Sequence, residues 1–346
     1  MVASADSVAA RENRSGMFDL DNNGGALVPD SSLFDHDYPF DPSYGFGLDE
    51  LLAITAPPAP ADFEAFWQAR WQRVRVLQPH PVLTHSGRQQ GFERFDFSYS
   101  SSDKVTIKGW ALLPLATPIS RVVIIGHGYG GRDAPDGRYQ IPGAALLFPC
   151  FRGLGRSRSS PFSAQPHFHV LHDLDKRDRY VIGGCVDDLW LAVTAAQQLF
   201  PAAANDIGYI GSSFGGGIGA LAAPWDSRIK RLHLHVPTFG HQPLRLQLPT
   251  TGSGAAVQVF ARYHRNAADT LAYYDAASAA ARARQPLHLA AALFDPMVAP
   301  PGQFAIYNCW AGPKQLLVLD GGHFSYPQQA AQELGMLHEI NRFFAT

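Results

Sequence analysis

Residues Tyr209 to Gly216 read Tyr-Ile-Gly-Ser-Ser-Phe-Gly-Gly, a setting in which a serine can become a nucleophile. An apolar, β-prone run through Ile207, Tyr209 and Ile210 stops at Gly211-Ser212-Ser213-Phe214-Gly215. A small-residue, helix-compatible run from Gly216 to Ala223 follows. G-x-S-x-G between a strand and a helix is a tight turn that presents a serine hydroxyl for attack on an acyl carbonyl. The turn requires very small residues two before and two after the serine. Gly211 and Gly215 meet that demand for Ser213, and nothing comparable flanks Ser212, so the frame is fixed.

Acyl transfer by a serine needs a base to take its proton and a carboxylate to orient the base. In the order serine, acid, histidine, each partner sits on a loop after a strand. The strand-like run Leu287 to Phe294 ends in Asp295-Pro296, and Gln315 to Leu319 ends in Asp320-Gly321-Gly322-His323. The two glycines let the second loop bend back over the serine. Asp295 is preferred to Asp320 as the acid, because Asp320 stands at a strand end only three residues from His323.

The chain has 14 histidines, so the others need readings too. His233, His235 and His288 fall within strands and read as packing or backbone-bonded residues, and His338 reads as surface on the last helix. His167-x-His169-x-x-His172 has loose metal-like spacing but no cysteine or clear carboxylate set, so it reads as a loop near a cleft rim. Metals and cofactors are not expected.

The oxyanion of acyl transfer needs two fixed N–H donors. One is expected from the backbone of Phe214, where a helix dipole adds its field. The second is expected from Tyr129, in the glycine-rich loop His127-Gly128-Tyr129-Gly130-Gly131 after a buried strand. His127-Gly128-Tyr129 resembles the H-G-x oxyanion segment of many esterases. A phosphate-binding reading of this loop lacks G-x-x-x-x-G-K-[ST] and G-x-G-x-x-G.

The elements that must hold these residues are legible from periodicity. Residues 1 to about 45 are polar and aperiodic, and Pro57 to Pro60 form a rigid connector. Asp19-x-Asp21-x-Asn23-Gly24 with Asp30 partly matches a calcium loop. It ends in Asp rather than Glu, after Pro29 and without flanking amphipathic helices, so it reads as an Asx-rich turn. A helix with Phe63, Phe66, Trp67 and Trp71 on one face opens after Asp62. Strands are expected at Phe92 to Tyr99 and Val105 to Leu113, as an antiparallel pair, then at Arg121 to Gly126 and Ala144 to Phe151. Helix Val186 to Phe200, strands Asp206 to Ile210 and Arg231 to Val236, and helix Leu271 to Arg284 follow. Strand Leu287 to Phe294, helix Gly302 to Trp310, strand Gln315 to Leu319 and helix Gln328 to Phe344 complete the series. Strands alternating with helices imply an α/β fold with a mostly parallel, doubly wound sheet. Residues 1–60 are expected to form an arm and connector, partly irregular. Residues 61–346 would form the catalytic domain, with an insertion at about 237–270 over the top of the sheet, where ligands bind in such folds.

Composition narrows the function further. At 346 residues, 46% hydrophobic and 17% charged, the chain matches an ordinary soluble globular protein. A net charge of −2 and no long Lys/Arg run give no attraction to nucleic acid or anionic lipid. Arg152, Arg156 and Arg158 alternate with Gly and Ser and read as a loop before a phosphate site. Three widely spaced cysteines without C-x-x-C argue against disulfides and zinc and favour a reducing, cytoplasmic compartment. Met1 to Gly16 lacks the apolar core of a signal peptide, and no run of 18 apolar residues offers a membrane span.

Several segments together resemble the acetyl xylan esterase / cephalosporin-C deacetylase carbohydrate esterases of the α/β-hydrolase superfamily, over roughly residues 48 to 346. They are Pro60-Ala61-Asp62-Phe63-Glu64-Ala65-Phe66-Trp67, Gly128-Tyr129-Gly130-Gly131, Arg152-Gly153-Leu154-Gly155 and Gly211 to Gly216. Leu293-Phe294-Asp295, Tyr307-Asn308, Ala311-Gly312-Pro313-Lys314 and His323 complete the set. The resemblance implies nucleophile Ser213, acid Asp295 and base His323, with the oxyanion on the Tyr129 and Phe214 amides. It also implies acetyl esters of sugars as substrates, and a homo-oligomer, a hexamer with inward-facing sites. Three positions depart from the family pattern: Leu154 and Phe214 replace glutamines, and Phe324 replaces a glutamate. Backbone donors survive such changes, but Leu154 and Phe324 are expected to make the substrate pocket less polar. Larger or less polar esters, or acyl transfer to another acceptor, are the alternative reactions of the same machinery. A non-catalytic scaffold is the reading that an intact Ser, Asp and His argue against.

Overall fold

Alternating apolar residues whose two faces are both buried build the centre of the molecule. In the computed structural model, which describes residues 34–345, nine strands form one sheet. They are β1 (Val82–Gln89), β2 (Phe92–Ser100), β3 (Thr106–Pro114), β4 (Arg121–Gly126), β5 (Ala144–Pro149), β6 (Ile207–Ser212), β7 (Ile229–His235), β8 (Leu287–Ala292) and β9 (Lys314–Leu319). Their order is β1-β2-β3-β5-β4-β6-β7-β8-β9. The pairs from β5 to β9 are parallel, and β1, β2 and β3 extend one side in antiparallel fashion. The mostly parallel sheet read from the sequence is therefore present. The Asp19 to Asp30 pattern lies outside the described residues.

The helices are α1 (Leu48–Ala53), α2 (Phe63–Val74), α3 (Pro166–His169), α4 (Val181–Leu199), α5 (Phe214–Ala222) and α6 (Gln242–Gln247). They continue as α7 (Gly252–Tyr263), α8 (Asn266–Tyr273), α9 (Ala276–Ala280), α10 (Pro300–Cys309) and α11 (Gln329–Ala345). On β4 and β5, Ile124 and Leu147 face the core that holds α2, α4 and α5. Val123, Ile125, Leu146 and Phe148 face the other way, against Ile340 and Phe344 of α11. Burial on both faces is why these strands read as continuous apolar runs.

Four departures from the sequence reading have local causes. β1 was not anticipated. It is an edge strand, half exposed and broken by a bulge between His85 and Gly87, so it carries no apolar alternation. α4 starts at Val181, ahead of the expected Val186, despite Gly183-Gly184. Those glycines admit the Arg70 and Arg152 guanidinium groups; a Cβ at Gly183 would stand 2.7 Å from Arg70 Nη1. The single helix expected over 271–284 is two, because Asp275 turns the chain and its Oδ1 accepts from the Ser278 amide at 2.8 Å as the N-cap of α9. The 237–270 segment is itself helical, comprising α6, α7 and the start of α8.

The Arg152 loop is structural. Arg70 meets Asp187 at 2.7 Å and Arg152 meets Asp188 at 2.8 Å, with Ser102 and Ser101 donating to the same carboxylates. These buried pairs lock α2 and the 152 loop to α4. The aromatic stripe of α2 packs as expected, with Trp67 and Trp71 at 6.2 and 5.2 Å from Trp190. All three cysteines are free, and no helix among the described residues is long and apolar enough to cross a membrane. Asp188→Ala would strand the guanidinium of Arg152, which is 3% exposed. A loss of about 3–5 kcal/mol is expected, read from urea denaturation; an unchanged midpoint would contradict this role.

Candidate active site

The turn from β6 into α5 forces Ser213 to φ 51° and ψ −110°, a left-handed backbone rare for a residue with a side chain. Neighbouring backbone holds it there. The Ser213 amide donates to His235 O at 2.8 Å, and its carbonyl accepts from Gly217 at 3.0 Å and Thr238 at 3.1 Å. The demand for flanking glycines is steric. A Cβ at Gly211 would lie 2.5 Å from Gly215 O, and one at Gly215 would lie 2.8 Å from His127 O.

Three side chains distant in sequence meet above this turn. His323 Nε2 lies 2.8 Å from Ser213 Oγ, and His323 Nδ1 lies 2.8 Å from Asp295 Oδ2. Asp295, fully buried, follows β8. Its Oδ1 accepts from the Met297 and Val298 amides, both at 2.9 Å, and its Oδ2 also accepts from Gln303 Nε2 at 3.0 Å. With Asp295 Oδ2 accepting, His323 carries its proton on Nδ1. The neutral imidazole therefore presents its Nε2 lone pair to the serine hydroxyl. Burial pushes His323 down, but the charge and hydrogen bond of Asp295 outweigh it, and the net shift is upward from the ordinary histidine value. Asp320 is not bonded to His323; its amide donates to Gln332 Oε1.

The Tyr129 loop is fixed by two neutral histidines. His127 Nε2 accepts from the Phe151 amide at 3.0 Å, so its Nδ1–H donates to Gly128 O at 2.7 Å. Burial drives its pKa down to about 3. His169 Nε2–H donates to Arg152 O at 2.9 Å, leaving Nδ1 to accept from the Tyr129 hydroxyl at 3.2 Å. The Tyr129 and Phe214 rings stack at 4.2 Å, which brings the loop against the start of α5. His169 thus braces Tyr129, and His167 lines the adjoining cavity. No group of three metal-ligating side chains exists among the described residues.

A cavity of about 480 Å³ opens beside Ser213 and His323, walled by Tyr129, Thr238, Arg245, Met297 and Val298 among others. Two residues expected in this wall are not in it. Leu154 is 1% exposed and packs into the core behind the Arg152 loop. Phe324 turns away to rings 5.0 Å (Phe294) and 5.6 Å (Phe34) distant. The histidines of the strands pack as expected, His233 and His288 being buried, and they also meet side chains: His233 Nδ1 lies 2.9 Å from His288 Nδ1, and His235 Nδ1 lies 3.2 Å from Ser212 Oγ.

Sequence reasoning missed Gln303, whose amide bridges Asp295, Val298 O and the Ala292 amide. It also read the arm without its contacts to the site. Phe34 packs edge-on to Phe294, the Asp295 amide donates to Pro42 O at 3.0 Å, and the Tyr44 hydroxyl donates to Pro249 O at 2.7 Å. The only sequence signal was the aromatic series Phe34, Tyr38, Phe40 and Tyr44 in an otherwise polar stretch.

Residues 45–337 match the family model described as acetyl xylan esterase. No curated protein matches the chain by sequence. Among solved structures, an acetyl xylan esterase from Paenibacillus sp. R4 superposes with a TM-score of 0.73 at 22% identity, covering 85% of this chain and 99% of that one. Acetyl xylan esterase 1 from Thermoanaerobacterium sp. JW/SL YS485 gives 0.73 at 19% identity, covering 87% and 99%. An acylaminoacyl peptidase from Pyrococcus horikoshii gives 0.57 at 16% identity, covering 74% of this chain and 42% of that one. The superpositions share the fold, that of the α/β-hydrolases, and the family match extends over most of the chain: it belongs to the acetyl xylan esterase family and is a carboxylic ester hydrolase.

Proposed function

We propose that the protein is a serine esterase that removes acetyl or similar small acyl groups from esterified sugars, with Ser213, His323 and Asp295 as its triad. The observation that carries this is the unbroken hydrogen-bonded series from Ser213 Oγ through the imidazole to the buried carboxylate. In this reading Ser213 Oγ attacks the ester carbonyl carbon while His323 Nε2 takes its proton. The carbonyl π electrons move onto oxygen, which the amides of Tyr129 and Phe214 receive. Collapse expels the alcohol, which leaves with the proton from His323. Water then attacks the acyl-enzyme, giving its proton to Nε2, and the acid departs as Ser213 Oγ regains that proton. Asp295 accepts from the Nδ1–H and steadies the imidazolium. Catalysis is assigned to residues 61–346. The arm within 1–60 acts by holding the loop that carries Asp295.

Ser213→Ala should lower kcat by roughly 10⁶-fold with an unchanged thermal midpoint; near-normal turnover would sink the assignment. The pH profile carries a sign. His323 must be neutral to act, and its pKa lies above the usual ~6.5. The rate should therefore fall as pH drops, with the half-point of kcat/KM above that value; full activity at pH 5 would point to a different base. Gln303 is a positioning residue. Removing its bond to a charged group in Gln303→Leu should cut kcat roughly ten- to hundred-fold and leave KM unchanged, whereas a purely structural role would lower the melting temperature without separating kcat from KM.

A further inference from the structure

Among the described residues, Arg245 is a charge that meets no carboxylate beside the nucleophile. It sits on α6, half-buried, and lines the same cavity as Ser213 and His323. Its contacts are the Gln242 side-chain oxygen at 3.2 Å and the face of Phe239, 5.4 Å from the ring centroid. Arg70, Arg152 and Arg228, by contrast, each meet a carboxylate at 2.7 or 2.8 Å. Among the described residues, no Asp or Glu lines the cavity. Asp295, the acid nearest the chemistry, is enclosed and already accepts from Met297, Val298, Gln303 and His323. A guanidinium drawn from water with no carboxylate is unfavourable unless something else supplies the negative charge. Burial does push Arg245 down from the usual arginine value.

A second feature has the same polarity. The first turn of α7, at Gly252, Ser253 and Gly254, lines this cavity beside Arg245. Its N-cap residue, Thr251, gives its hydroxyl to Pro296 O and does not cap the helix. The amides that open a helix, and the positive end of its dipole, favour an anion. Guanidinium and helix terminus thus make one side of the cavity electropositive, with Met297 adjoining it: a Cβ at Gly252 would lie 3.7 Å from the Met297 methyl carbon.

We propose that the preferred substrates of this site are esters that also carry a carboxylate, held by Arg245 and the first turn of α7. This rests on the serine esterase reading above. A planar guanidinium matches a carboxylate through two parallel N–H donors, a geometry that fixes orientation as well as charge. The carboxylate could belong to the acyl half, as in a half-ester of a dicarboxylic acid, or to the alcohol half, as in an acetylated sugar acid.

Two matched pairs of substrates separate these sources. In the first, p-nitrophenyl hydrogen succinate is compared with p-nitrophenyl butyrate. In the second, an acetylated methyl glucuronoside is compared with the acetylated methyl glucoside. The native enzyme should favour the charged member of at least one pair by roughly ten- to hundred-fold in kcat/KM. Arg245→Gln should bring that ratio close to one, and Arg245→Lys should retain part of it. Equal or poorer use of the charged member in both pairs by the native enzyme would overturn the proposal, whatever the variants do. So would a preference that persists in Arg245→Gln. Hydrolysis of the neutral esters that vanishes in Ser213→Ala would leave the esterase reading standing in either case. Failure to hydrolyse any of the four esters would remove both.

Discussion

The backbone of Ser213 is the constraint to which the site answers. A left-handed conformation at a residue with a side chain costs on the order of 1–3 kcal/mol and persists only where its surroundings impose it. Here they do. The serine is fastened at its amide by the end of β7 and at its carbonyl by α5 and the segment after β7. Gly211 and Gly215 give the room that lets those bonds form. His323 also has positive φ, at 48°, so two neighbouring members of the hydrogen-bonded series are held in backbone states that a free peptide avoids. The sheet supplies the rigidity: both residues follow directly on buried or paired strands, β6 and β9.

The three parts of the site come from three sources. Strand ends supply the reactive groups, as expected at the carboxyl edge of a parallel sheet. The segment between β7 and α9 supplies part of the cavity wall, including Arg245 and the start of α7, and the Tyr129 loop and the acid loop supply the rest. The arm supplies restraint, through Pro42 on the Asp295 amide and Phe34 on Phe294. The α6–α7 part of the wall is a separate stretch of chain from the serine, the histidine and the acid. Substitutions on α6 or α7 can reshape what enters without moving the serine.

What the sequence disclosed, and what it hid, follows from the range of each interaction. The elbow is legible because its steric demand is met within five consecutive residues. β4, β5 and β8 are legible because burial on both faces makes them nearly continuous apolar runs, with only Arg121 at the start of β4 and His288 in β8 as polar side chains. β1 is hidden because an edge strand needs no such pattern. The start of α4 is hidden because two glycines, weak helix formers, are there to admit guanidinium groups from α2 and the 152 loop. Gln303 and Arg245 are illegible for a different reason: each acts across space, and neither lies beside a recognisable motif. Leu154 and Phe324 mislead in the opposite way. They stand beside motif residues in sequence, but the loop at 154 turns its side chain into the core and the loop at 324 turns its ring toward the arm.

The arm's hold on the acid loop also ties together parts of the chain that are made far apart in time. The Tyr44 hydroxyl reaches the Asp295 carbonyl across 251 residues of chain, and His323 reaches Ser213 across 110. Contacts of such separation form late, after local helices and hairpins. Pro42 and Tyr44 precede Asp295 by 251 residues or more, so the arm's restraint on the acid loop can form only once that far part of the chain has been made.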